Sequence, residues 1–99
     1  MADLVLGLAS SHSPQLSTPS EGWRERGERD KGNPELIGTD GIVSNYEDLL
    51  ARIDVGRVAT EITPEKMEQR HQRNQKGIAR LMNSLYSANL DVLVMVGDD

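Results

Sequence analysis

The sequence predicts an α/β fold of the three-layer type, a parallel sheet between helices, with the chain supplying only part of it. Three observations carry that expectation. An unbroken apolar run near the start, "LVLGLA" at residues 4–9, is matched by a second, "VLVMV" at residues 92–96. Uninterrupted apolar runs of this length are the pattern of strands buried on both faces. Between them lies a long segment with helical periodicity, as a crossover between parallel strands requires.

Each apolar run stops abruptly in polar residues. The first ends in Ser10-Ser11-His12-Ser13-Pro14 and the second in Gly97-Asp98-Asp99. Residues 17–41 follow the first as a long polar loop, rich in Gly, Pro and alternating charge. Its interleaved Arg and Glu residues read as a solvated surface, and loops of this length are often lids or binding loops. Trp23 is its one large apolar group and is expected to pin it down. A short helix is expected over residues 45–53, "NYEDLLARI", capped by Ser44 or Asn45. Thr63 then supplies an N-cap, Pro64 the first helical position and Glu65 a carboxylate at the positive end of the helix dipole. This helix should run to about Ala88, with Met67, His71, Asn74, Ile78, Leu81, Met82 and Leu85 on one face. Gly77 weakens its middle by about 1 kcal/mol relative to Ala and would permit close packing on a sheet.

Composition narrows the class of molecule. The 99 residues suit one small domain or a piece of a larger one. With 36% hydrophobic and 27% charged residues the chain is globular rather than disordered. One Trp, two Tyr and no Phe are a thin supply of large core groups. A net charge of −5 argues against a nucleic-acid binder, which is normally basic. The absence of cysteine rules out disulfides and thiolate metal sites and suits a cytoplasmic protein. No basic, signal-like N-terminus and no apolar run near the roughly 20 residues of a membrane span appear. A buried strand that finishes in two carboxylates is a poor end for a domain, so residues 1–99 are expected to be a fragment cut within a functional motif.

In open parallel sheets, ligands bind beyond the carboxyl ends of the strands. His12 and the Asp98-Asp99 pair would then share one rim. His12, stiffened by Pro14, suits a metal ligand or a general base, or is a plain turn histidine. Ser10, Ser11 and Ser13 would orient it, or serve as turn residues and caps. Asp98 and Asp99 would hold a metal, orient a ligand that follows them, or form a solvated turn. His71 is a packed histidine or, with Asn74 and Gln75, part of a surface facing a pocket or partner; Tyr46 reads as packing. No HxH, HExxH or CxxC spacing occurs, so spacing alone yields no complete metal site.

"SSHSPQL" after an N-terminal apolar run, with "VMVGDD" after a long helix, resembles the class III extradiol ring-cleavage dioxygenases of the catalytic, subunit-B type, such as protocatechuate 4,5-dioxygenase. "NYEDLLAR" and "RHQRNQKGIARL" are similar to a bacterial subgroup of that family. The resemblance covers nearly the whole chain but only about the first third of a typical member. It implies non-haem Fe(2+) held by two histidines and a glutamate, with open positions for a catechol-type aromatic and O₂. It implies that His12 is the first histidine ligand. The second would follow Asp98-Asp99, beyond the chain, as would the glutamate and the acid/base histidine. Catalytic residues within the chain are therefore unknown, and His71 matches no ligand. A homo- or hetero-oligomer is expected for the whole protein, charge and hydropathy argue against nucleic-acid and membrane partners, and the 99-residue chain alone should be inactive. Two other readings remain open. One is a non-catalytic binding or signalling protein of the same fold, resembling Memo. The other is a metallophosphoesterase-like hydrolase, in which "GDD" would be a metal-binding turn; that class wants an Asp two residues before the histidine, where this chain has Ser10.

Overall fold

Helix α4 (Pro64–Ser87) is the spine on which the rest is arranged, and local chemistry defines both its ends. Thr63 has extended backbone, and its Oγ1 accepts a hydrogen bond from Lys66 N at 3.3 Å, covering one of the amides a helix start leaves unpaired. Pro64 occupies the first turn, where its missing N–H costs nothing. At the other end Ala88 is the C-cap and Asn89 turns into the left-handed region at φ 47°, a conformation Asn tolerates better than most residues. At 24 residues the helix is about 36 Å long. Of its expected apolar face, Met67, His71, Asn74, Ile78, Leu81 and Leu85 are half-buried, whereas Met82 is exposed.

The computed structural model describes residues 1–97. Before α4 come 3-10 turns at Pro14–Leu16 and Ser20–Gly22, then α1 (Trp23–Asp30), β1 (Leu36–Ile37), β2 (Val43–Ser44), α2 (Tyr46–Leu50) and α3 (Val55–Glu61). Residues 17–41 are therefore not the structureless loop expected. Their alternating charges fall in helical register: Arg29 pairs with Glu25 at 2.7 Å one turn back, and Lys31 pairs with Glu28 at 2.6 Å. Strands β1 and β2 form a small antiparallel hairpin, Leu36 opposite Ser44 and Ile37 opposite Val43. Gly41, at φ 76°, closes it, and the Asp40 carboxylate accepts from Ile42 N at 3.0 Å.

Helix α2 realises the expected helix in shortened form, and Asn45 rather than Ser44 is its cap, accepting from Asp48 N at 2.9 Å. Tyr46 is half-buried, with the Lys31 ammonium 6.0 Å from its ring centre. Helix α3 was not expected. It is started by Asp54, whose carboxylate accepts from Arg57 N at 3.0 Å.

The apolar runs 4–9 and 92–96 differ most from expectation. Neither forms a strand among the described residues, where β1–β2 is the one sheet. A parallel strand is held by hydrogen bonds to neighbours, and neither run has a strand neighbour among those residues. Both nonetheless lie against the same half of α4. Leu6, Leu8 and Val94 face Ile78, Leu81 and Leu85 across an open cavity of about 600 Å³.

Candidate functional site

The polar residues after the first apolar run form a hydrogen-bonded turn. Ser10 Oγ donates to Ser11 O at 3.2 Å, Ser11 Oγ accepts from Ser13 N at 3.3 Å, and Ser13 Oγ accepts from Gln15 N at 3.3 Å. Ser13 is thereby the N-cap of the Pro14–Leu16 turn, with Pro14 pre-set for its first position. The serines are engaged with backbone, which is the turn-and-cap role. His12 sits on the exposed side of this turn.

The turn is fastened to α4 from below. Gln75 Nε2 donates to Leu16 O at 3.0 Å, Ser20 Oγ donates to Glu68 Oε2 at 2.5 Å, and Trp23 Nε1 donates to Thr18 O at 3.0 Å. Trp23, 9% exposed, is the one buried apolar side chain among the described residues, and its ring meets the His71 ring edge-on at 6.1 Å. His71 is thus a packing partner of the tryptophan. Its Nδ1 is buried and makes no hydrogen bond among the described residues.

Charge along this clasp is ordered. Hydrogen bonds from Gln72 and then Ser20 hold the Glu68 carboxyl below its ordinary range. Glu61 is lowered likewise, first by Lys66 at 2.8 Å and then by Arg70 at 2.6 Å, which also reaches the Glu61 carbonyl. Residues 13–23 are therefore tied to the first half of α4 by polar contacts, while residues 6–10 and 93–96 share its apolar second half.

Of the residues expected to carry function, the structure places His12 and its serines on one turn. Asn74 and Gln75 divide: Gln75 fastens that turn, and Asn74 lines a cavity beside Trp23. Asp98 and Asp99 lie outside the described residues. Ser20 and Glu68 were not anticipated. They are 48 residues apart and no local pattern links them, although Glu68 falls on the same side of α4 as His71, three positions on.

Comparison with known proteins gave no match. No family model, curated protein or solved structure matches this chain. Among the described residues, no three His, Cys, Asp or Glu side chains gather where they could hold an ion. His12 would supply one ligand of three, so the described residues do not by themselves fit a ferrous centre. No described helix is long and apolar enough to cross a membrane.

Proposed function

We propose that residues 1–99 are the N-terminal part of an extradiol dioxygenase-like subunit. In the whole protein, a catechol-type aromatic is opened beside its diol by O₂ at non-haem Fe(2+), with His12 as one iron ligand. The observation that supports this most is the arrangement around α4. Residues 6–10 and 93–96 line one cavity on the same half of that helix, as two neighbouring strands under a crossover helix would. Ser10 and Val96, at the ends of the two runs, both line that cavity. The order of "SSHSPQL" and "VMVGDD" is the other support. We place the protein in the cytoplasm on its lack of cysteine.

Anaerobic titration of Fe(2+) into the protein that continues past Asp99, wild type against His12→Ala, tests the proposal. Tight binding that collapses by one or two orders of magnitude in the variant is expected, followed by catechol turnover in wild type alone. If wild type binds no iron and the variant behaves identically, the iron role of His12 is lost and a non-catalytic binding protein becomes the better account. The 99-residue chain alone, with one ligand of three, is expected to show no ring cleavage.

A further inference from the structure

A second cavity, of about 500 Å³, lies between the Pro14–Leu16 turn, the start of α1 and the first turns of α4. Trp23, Ile62 and Met67 give it an apolar floor, and Gln15, Arg70, Arg73 and Asn74 a polar rim. It is open to solvent, with polar and apolar lining in nearly equal share, so a ligand here would be held on one face rather than enclosed. The rim is positive although the chain as a whole carries −5. Glu61 is spanned by Lys66 and Arg70, so that trio sums to one positive charge. Arg73 adds another, and it has no hydrogen bond or ion pair among the described residues.

We propose that this cavity binds a small organic monocarboxylate, its carboxylate on Arg73 and its apolar body against Trp23, Ile62 and Met67. A guanidinium meets a carboxylate through two parallel N–H donors, a geometry an ammonium cannot reproduce. Arg70 is already committed to Glu61, so the rim offers one open fork, matched to a single negative charge rather than to a phosphate dianion. The proposal is independent of iron chemistry, since none of the lining residues is His12.

The chain has a single tryptophan and it lines the cavity, so Trp23 emission responds to what binds here. The 99-residue chain is titrated with hexanoate and with hexanamide, its neutral counterpart, following Trp23 emission and, in parallel, the heat of binding. Saturable binding of hexanoate is expected, with a midpoint about tenfold lower than that of hexanamide, the scale of one charge-assisted pair. Arg73→Gln should raise the hexanoate midpoint about tenfold, Arg73→Lys should raise it less, and His12→Ala should leave it unchanged. Arg73 is exposed on α4, so these variants keep the helix, which circular dichroism checks. The proposal is overturned if hexanoate gives neither saturable emission change nor heat, if hexanamide binds equally well, or if Arg73→Gln leaves the midpoint where it was.

Discussion

Glu68 joins two segments 48 residues apart through one carboxylate, and that makes the clasp sensitive to acid. Gln72 and Ser20 donate to the ionised form, which lowers the folded-state pKa below the ordinary 4.5. A carboxyl whose pKa is depressed by folding contributes stability that is fully present above its unfolded value and is lost as pH falls through the folded one. The clasp should therefore be unchanged from neutral pH down to about 4.5 and loosen below it. Trp23 is the natural reporter, because the segment that Ser20 ties down carries it into its buried position. Wild type should show a red shift of Trp23 emission across the acid limb, and Glu68→Gln a smaller one, because glutamine has no proton to gain. Identical acid profiles for the two proteins would remove Glu68 from this role. Glu61 titrates in the same direction, held by Lys66 and Arg70, so some acid response should survive in the variant.

Helix α4 is the element whose sequence can be tested most directly. Thr63→Ala removes the side-chain acceptor for Lys66 N and should cost about 1 kcal/mol, with Thr63→Ser restoring most of it, both read from urea unfolding. Gly77 tests its surroundings. A methyl group built there meets no atom within 4 Å, so close packing of a sheet on Gly77 is not seen among the described residues. Gly77→Ala should then stabilise the chain by roughly 0.5–1 kcal/mol through lower backbone entropy and better helix propensity. Destabilisation would reveal a close neighbour at that position. These ends and caps were legible in sequence because every group involved lies within four residues: Thr63 to Lys66, Asn45 to Asp48, Ser13 to Gln15. Helix α1 was hidden because alternating Arg and Glu look the same on a solvated loop and on a helix stabilised by pairs one turn apart. The runs 4–9 and 92–96 have strand composition, but a strand exists only with a hydrogen-bonded neighbour, and composition does not carry that neighbour. The clasp was illegible for a related reason: Gln75 to Leu16 and Ser20 to Glu68 are long-range contacts between ordinary polar residues. His12 stood out by its setting after an apolar run, and the structure leaves it on the exposed side of the capped turn that its neighbours suggested.

The whole molecule is far more open than a folded domain of its length. Its accessible surface is 8626 Å², against roughly 5,600 Å² expected for a compact monomer of 10.9 kDa. Its radius of gyration is 18.1 Å, against about 13 Å for a compact chain of this size. Much of the excess is apolar and concentrated at the two runs: Leu4 is 96% exposed, Val94 81%, Met95 84% and Val96 97%. Together with the half-buried Ile78, Leu81 and Leu85, the last three of these surround the 600 Å³ cavity on the second half of α4. Contiguous apolar surface of this extent is a site that must be covered or will bind apolar molecules. The polar clasp, by contrast, does not depend on that cover, since it joins Ser20 and Leu16 to Glu68 and Gln75 in the first half of the helix. The two halves of α4 should therefore respond differently to an apolar dye. Anilinonaphthalene sulfonate is expected to bind the 99-residue chain with a several-fold rise in emission, while Trp23 keeps its buried spectrum. Val94→Lys and Leu8→Lys, which place charges in the cavity lining, should cut that rise by half or more without moving the Trp23 maximum. A dye response that is absent, or that falls only when Trp23 is also disturbed, would show that the apolar half of α4 is not an independent open surface.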